Sequence, residues 1–446
     1  MGDKDLEDLR DFLQLLESEG LLLRIKREVD PRFELMAVAR KAEKLGKAVL
    51  FENIKGYPGW RVVNNIIGSR RMLALALKTD EAGTVKAFAD KSKSLIKPKI
   101  VDKGPVKEVV RVGKEADASK LPIVTHCEKD AGPYITGGIV IAKDPDTGYR
   151  NVSFNRLQLK GRDKFGIRMM PPQHLGIIHS KMEAREKNLE VAVAIGNHPC
   201  EMICGASTLP YGVDHFELAG ALRGEPVKLV KCETVDVEVP ASAEVVLEGE
   251  VLAKVREAEG PFGDFMQYYI PVMDNHVFKL KAITHRENPI YQTIQAGSIE
   301  DVHLLALSRE ATIYNALRSA GFEVKAVSLV PFIFNCVVSI KKRFEGEPKN
   351  AIMAAFGTYS WLKYCVVVDE DVNVYDLTDV WWAIATRSNP ASDVFIVSDA
   401  LGFPRDPHRI HQSKMGIDAT VPLEFKAEFE RKRVPMEDQV NLQDYL

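Results

Sequence analysis

The chain has 446 residues, 46% of them apolar, with a formal net charge of -3. That length suits a globular protein of two or three domains with a large core. The near-neutral charge offers no basic stripe to a nucleic-acid backbone, no apolar run approaches the ~18 residues of a membrane span, and residues 1–5 open no signal peptide. A cytoplasmic protein with no nucleic-acid or membrane partner is therefore expected. Cys127, Cys200, Cys204, Cys232, Cys336 and Cys365 are scattered without a Cys-x-x-Cys pair, which argues against a zinc cluster or a disulfide framework and for core thiols.

In chain order, Leu6, Leu9, Phe12, Leu13 and Leu16 recur at helical spacing and Gly20 stands where a C-terminal cap belongs, so 5–19 reads as an amphipathic helix. A strand at 21–25, a helix at 33–45, a strand at 49–52 and a helix from 70 to 77 complete an N-terminal α/β domain, 1–115. From 116 to 304 the runs become short and β-rich between Gly and Pro: 137–142, 152–159, 189–195, 244–255 and 278–284. Strands at turn-bounded intervals suggest a barrel or sandwich, interrupted here by helices at 174–187 and 214–223. Helices at 305–320, 349–361 and 377–386 then alternate with strands at 334–340, 364–369 and 393–398. This predicts a C-terminal α/β domain, 305–400, with a mostly parallel sheet. A charged tail, 401–446, carries a further predicted helix at 427–433. The fold class is thus α/β, multi-domain.

Glu259-Gly260-Pro261-Phe262-Gly263-Asp264 sets two carboxylates five residues apart across a turn that permits close approach of a ligand. Carboxylates held against apolar walls acquire separated proton affinities, as acid–base work requires. A solvated hairpin is the ordinary alternative. Arg156, within Asn151-Val152-Ser153-Phe154-Asn155-Arg156, can hold a carboxylate with both arms of its fork or pair with the two acids; it also reads as an exposed arginine on a β-run. Asn151, His174 after Pro171-Pro172-Gln173, and an acid within 214–217 offer the amide, imidazole and carboxylate donors of a divalent ion, although a lone histidine there is also a structural one. Cys204-Gly205-Ala206-Ser207 is small and precedes a predicted helix, so its backbone N–H groups could reach a phosphate, or it is an ordinary loop. His303 falls on a predicted loop near the pocket, facing either substrate or solvent.

In this order, and with Lys414-Met415-Gly416-Ile417-Asp418-Ala419-Thr420 near the end, these motifs resemble those of the UbiD family of reversible decarboxylases. The resemblance covers almost the whole chain. It implies a central split β-barrel like that of flavin reductases, holding a prenylated FMN. Asn151 and His174 would ligate Mn2+ or Mg2+ on the flavin phosphate, with K+ beside it. The family places its third ligand, a glutamate, where this chain has His215, and Glu217 follows two residues later. Helical geometry directs those two about 200° apart, and Glu217 is preferred for its oxygen, with His215 the other candidate. Ser153, Phe154, Arg156, Gln173, Cys204, Gly205, Ala206 and Ser207 correspond to the cofactor cradle. Arg156, Glu259 and Asp264 correspond to the family's arginine–acid network, Asp264 standing where some members have glutamate.

The implied reaction is non-oxidative loss or gain of CO2 by an aromatic, heteroaromatic or α,β-unsaturated acid, through a cofactor–substrate adduct. A flavin prenyltransferase would supply the cofactor, and the tail would help form a homo-oligomer, a dimer or a hexamer. A flavin oxidoreductase on the same barrel and a non-catalytic subunit of a carboxylase complex are the competing readings.

Overall fold

In the computed structural model, residues 6–169, 172–408, 412–432, 434–436, 439–440 and 442–445 are described. The chain divides into two compact units, 1–314 with 329–333, and 315–328 with 334–446. The architecture is the expected multi-domain α/β one.

The first unit opens on the helix Leu9–Ser18, which buries Leu9, Phe12, Leu13 and Leu16, while Asp8 caps it by accepting the Asp11 N–H. The i, i+3, i+4, i+7 spacing of those four residues is what makes one face apolar. A four-stranded sheet follows in the order Leu22–Ile25, Ala48–Phe51, Arg61–Asn64, Ile290–Gln292. Its last strand comes from the far end of the central region and pairs in parallel with Arg61–Asn64. One apolar core unites this sheet with the next: Leu35, Phe51 and Val62 cluster with Val140, Phe165, Val193, Leu247, Phe278 and Tyr291.

The second sheet has nine strands, in the order 134–135, 157–161, 164–167, 273–285, 245–259, 189–195, 138–143, 150–154, with 109–112 paired to 273–285. All its ladders are antiparallel, and among the described residues none joins 150–154 to 134–135. Register breaks after Glu248 and Val251 interrupt the pairing of Val245–Glu259 with Met273–His285, and such irregularities bend a strand. The run expected at 152–159 is two strands, Arg150–Phe154 and Leu157–Gly161. Asn155 and Arg156 form the break between them, so Arg156 is not a surface residue of a continuous strand.

The second unit holds a five-stranded sheet in the order 324–328, 335–340, 364–369, 414–419, 394–397. Its three central strands are parallel and the two outer ones antiparallel, so the sheet is mixed rather than mostly parallel. Lys414–Ala419, loop-like in sequence, is one of the central strands, and the buried Lys414 ammonium donates to the carbonyls of Ser360 and Leu362. The helix expected at 427–433 is instead a 3-10 segment, Leu423–Phe429; Arg433 lies outside the described residues. With charges at Glu424, Lys426 and Glu428 and no buried residue, the segment has no apolar stripe to hold a longer helix down.

Candidate active site

Glu259 is the last residue of the strand Val245–Glu259 and is fully buried. Arg156 Nε donates to Glu259 Oε1 at 3.0 Å and Arg156 Nη2 to Oε2 at 2.8 Å, a two-armed pair. Asn275 Nδ2 adds a third donor to Oε2 at 2.6 Å. The Arg156 guanidinium lies 4.7 Å from the Phe262 ring centroid, and Phe262 in turn sits 4.7 Å from the Tyr134 ring. Burial first, and then the Glu259 charge, push the Tyr134 phenol well above its ordinary value. Space for the Glu259 side chain comes from Gly166 on the strand Lys164–Ile167, two places away in the sheet, where a Cβ would lie 3.0 Å from Glu259 Cγ.

The turn after Glu259 is tied down through its backbone. Gly260, at φ +103°, donates to Gln158 Oε1; Pro261 accepts from the Ala131 N–H; Gly263 donates to Asp130 Oδ1. Residues 262–263 then pair with 269–270 in a short hairpin whose loop is closed by the Asp264 N–H on the Tyr268 carbonyl. Asp264 thus stands on the rim of a 190 Å³ cleft that Cys127, Tyr268 and Tyr269 also line. The sequence placed Arg156 and Glu259 together, and the structure brings them into contact; Asp264 is carried on the same turn.

The second cluster is built where Arg150–Phe154 meets two helix starts. Asn151, buried, donates from Nδ2 to Ser153 Oγ at 3.2 Å, and Ser153 donates to Asn155 Oδ1 at 2.9 Å. His174 is the first residue of the helix His174–Ala184, preceded by Gln173, an exposed N-terminal residue whose side chain makes no capping bond. His215 opens the helix His215–Arg223, whose cap Asp214 is held by Arg150 at 2.6 Å. The His174 and His215 rings lie 6.4 Å apart. Burial, and then the neighbouring His174, push His215 down to about 4, and burial lowers His174, so both imidazoles are neutral at pH 7. His215 Nδ1 is buried without a hydrogen-bond partner. Tyr211 packs edge-on against His174 at 5.0 Å and donates its hydroxyl to Asp144. Against the opposing effect of burial, Lys181 and Tyr211 hold Asp144 well below the usual carboxylate range.

Three sequence expectations change here. With His215 turned toward His174, helical geometry directs Glu217 about 200° away, so the preference for Glu217 over His215 reverses. Cys204, Gly205 and Ala206 do precede a helix, His215–Arg223, but they are not a loop: they form the last turn of the helix Pro199–Ala206, with Ser207 as its C-cap. Cys204 Sγ and Ser207 Oγ bond back to the carbonyls of Glu201 and Ile203, and the C-terminal end of a helix presents carbonyls rather than N–H groups to a phosphate. His303 is on neither a loop nor the surface: it lies buried in the helix Ile299–Ser319 with Nδ1 2.8 Å from the Ile67 carbonyl. Among the described residues no three His, Cys, Asp or Glu side chains are grouped to hold a metal ion, so any ion here draws on the Asn151 amide and on its ligand. Asn275, Tyr134, Asp130 and Gly166 were missed in the sequence, where nothing distinguishes them from ordinary sheet and loop residues.

This fold belongs to a known class. Residues 13–92, 99–299 and 302–419 match, in turn, the N-terminal, Rift-related and C-terminal domains of the 3-octaprenyl-4-hydroxybenzoate carboxy-lyase family, UbiD. The chain belongs to that family, and the protein is a carboxy-lyase. The anhydromevalonate phosphate decarboxylase of Methanosarcina mazei is 37% identical over 434 residues, 96% of this chain and 99% of the relative. A phenolic acid decarboxylase of Sedimentibacter hydroxybenzoicus is 36% identical over 447 residues, 94% of this chain and 92% of the relative. The UbiD-class enzyme HmfF of Pelotomaculum thermopropionicum, solved with FMN, superposes with a TM-score of 0.94 at 44% identity, covering 98% of this chain and 100% of that one. An evolved dimeric form of HmfF, solved with prFMN, gives a TM-score of 0.91 at 43% identity, covering 99% and 100%. No helix among the described residues is long and apolar enough to cross a membrane.

Proposed function

We propose that the protein is a prenylated-FMN-dependent decarboxylase of an aromatic, heteroaromatic or α,β-unsaturated acid, working reversibly in the cytoplasm. The observation that carries this reading is the fully buried Glu259, held by both arms of Arg156 beside the cleft rimmed by Asp264. The reaction exchanges one carbon–carbon bond for one carbon–hydrogen bond: R–COO⁻ and H⁺ become R–H and CO2. No side chain takes up the electron pair left on carbon, and the prenylated flavin supplies that capacity when bound.

The chain's own groups do the rest. Arg156 fixes the orientation of Glu259 and presents its remaining N–H groups to a substrate carboxylate. Glu259 holds the proton that replaces CO2. Its oxygens accept three hydrogen bonds, two of them on Oε2, which leaves a lone pair of Oε1 to take up and deliver the proton. Asp264, at the rim, is the route by which that proton is renewed from solvent. Tyr134 and Phe262 keep water from the pair.

Asn151, His174 and His215 suit a divalent ion, Mn2+ or Mg2+, because both imidazoles are neutral and His215 Nδ1 has no partner inside the protein. Such an ion, with K+ beside it, would anchor the flavin phosphate. Ser153, Phe154 and Gln173 lie on the same strand end and helix start and would line the cofactor. A flavin prenyltransferase would provide the cofactor, and the working form would be a homo-oligomer.

The experiment is to co-produce the protein with a flavin prenyltransferase and screen unsaturated and aromatic acids for CO2 release. The mass of the bound cofactor separates this reading from an oxidoreductase: an unmodified flavin that turns over nicotinamide would contradict it.

A further inference from the structure

Asn275 reaches Glu259 from the strand paired with Glu259's own. In the ladder between Val245–Glu259 and Met273–His285, Met273 stands opposite Glu259 and Asn275 opposite Glu257. Residues two apart on a strand share a face, so Asn275 is a diagonal neighbour of Glu259, within reach of a polar side chain. His276, the next residue, belongs to the other face, where its ring meets that of His179 edge-on at 4.6 Å. Asn275 is 6% exposed, and its Nδ2 donates to Glu259 Oε2 at 2.6 Å, the shortest of the three bonds that the carboxylate accepts.

The three donors divide unequally between the two oxygens. Oε2 accepts from Arg156 Nη2 at 2.8 Å and from Asn275, whereas Oε1 accepts from Arg156 Nε at 3.0 Å. A carboxylate oxygen has two lone pairs, so both on Oε2 are engaged. No hydrogen bond among the described residues takes the second lone pair of Oε1; the nearby Tyr134 hydroxyl donates to the Pro261 carbonyl at 3.3 Å. A two-armed guanidinium takes one lone pair on each oxygen and does not distinguish them. The asymmetry therefore comes from Asn275. The charged and titratable groups around the pair are Tyr134, Asp130 on the far side of Arg156, and Lys160, whose ammonium donates to the Ala258 carbonyl and pairs with Glu257. All of them stay in place when Asn275 is changed.

We propose that Asn275 is a positioning residue for the proton transfer: by occupying Oε2 it confines the exchangeable proton of Glu259 to Oε1, so that the bond broken as the product C–H bond forms is always Oε1–H. The proposal rests on the decarboxylase reading above. A proton carried on the other oxygen is misdirected, and a misplacement of about 1 Å is enough to slow a reaction by about 100-fold. Asn275 itself is buried and does not touch the acid.

The test compares wild type with Asn275→Leu, which keeps a branched side chain and removes the donor. With the prenylated flavin bound, and cinnamate, 2-furoate and 3,4-dihydroxybenzoate as probes, kcat should fall by about ten- to a hundredfold while KM changes less than about twofold. The kcat–pH curve of the variant should lie at higher pH, because a carboxylate that loses a donor is more readily protonated. A merely structural role would reduce the amount of folded, flavin-bound protein and leave that curve where it was. Infrared titration of the FMN-loaded protein gives a readout independent of turnover: the protonated-carboxyl band that is lost in Glu259→Gln should appear at higher pH in Asn275→Leu than in wild type. If Asn275→Leu does not fold, Asn275→Asp, the nearest isostere, should move the band the same way, since two carboxylates at hydrogen-bond distance do not both ionise. An unchanged kcat together with an unchanged band would overturn the proposal, while CO2 release by the wild type left the decarboxylase reading intact. Absence of CO2 release from every acid screened, with the prenylated flavin bound, would instead remove the decarboxylase reading, and the infrared band would then decide whether Asn275 governs the protonation of Glu259.

Discussion

Glu259 and His215 are both buried polar side chains of the same unit, and the protein treats them in opposite ways. Glu259 accepts three hydrogen bonds, two from a single guanidinium. His215 keeps one ring nitrogen buried without a partner, 6.4 Å from a second neutral imidazole. Leaving a buried polar atom unpaired costs roughly 1–3 kcal/mol. A carboxylate already satisfied by fixed donors is organised before substrate arrives. Glu259 is thus satisfied within the fold, whereas His215 Nδ1 is not.

The largest expected effect tests the satisfied side. Glu259→Gln keeps the shape but cannot cycle a proton, so turnover and solvent-deuterium exchange should fall by about 10²–10⁴-fold; near-full activity would show that the proton is held elsewhere. Arg156→Ala leaves the buried Glu259 without its guanidinium, and breaking one partner of a buried pair costs about 3–5 kcal/mol. The urea midpoint should drop accordingly, and an unchanged midpoint would mean that the pair contributes little to the fold. At the proposed ion site, His215→Ala should lower metal and flavin content after gel filtration, with a smaller loss of stability than Arg156→Ala. The reverse order would erase the distinction between the two regions.

Two smaller effects sharpen it. Gly166→Ala would place a methyl 3.0 Å from Glu259 Cγ. The carboxylate must then shift by a few tenths of an ångström, and kcat should fall a few-fold to about tenfold with little change in KM. The last concerns pH. Burial, opposed by its bond to Ile67, pushes His303 down from 6.5 to about 4. The unfolded chain takes up a proton at 6.5 and the folded one only near 4. The His303 contribution is therefore fully present above pH 6.5 and is lost as pH falls toward 4. His303→Asn should flatten that part of the stability–pH curve, as measured by denaturant midpoints across the window.

Much of the framework was legible in sequence because it depends on local periodicity. Leu9, Phe12, Leu13 and Leu16 declare their helix wherever it docks, and the turn at 259–264 marks itself with Gly and Pro. Lys414–Ala419 was not legible. A strand that starts with a lysine and carries an aspartate resembles a loop until Ser360 and Leu362 are seen to satisfy the buried ammonium. Cys204–Ser207 misled for a related reason: small residues suit a phosphate cradle and a helix end equally well, and the capping pattern that separates the two lies upstream at His198 and Glu201. His303 was assigned to a loop because the helix begins at Ile299, earlier than its apolar spacing suggested.

By itself the sequence determined the α/β classes of the segments and the motifs of the family, since these depend on residue type and short-range spacing. Only the tertiary structure decided that Glu259 meets Arg156 from a strand 103 positions away and that His215 rather than Glu217 faces His174. Each of those outcomes depends on sheet register and helix phase, which the chain sets collectively through the core it buries and which no short stretch of residues encodes alone.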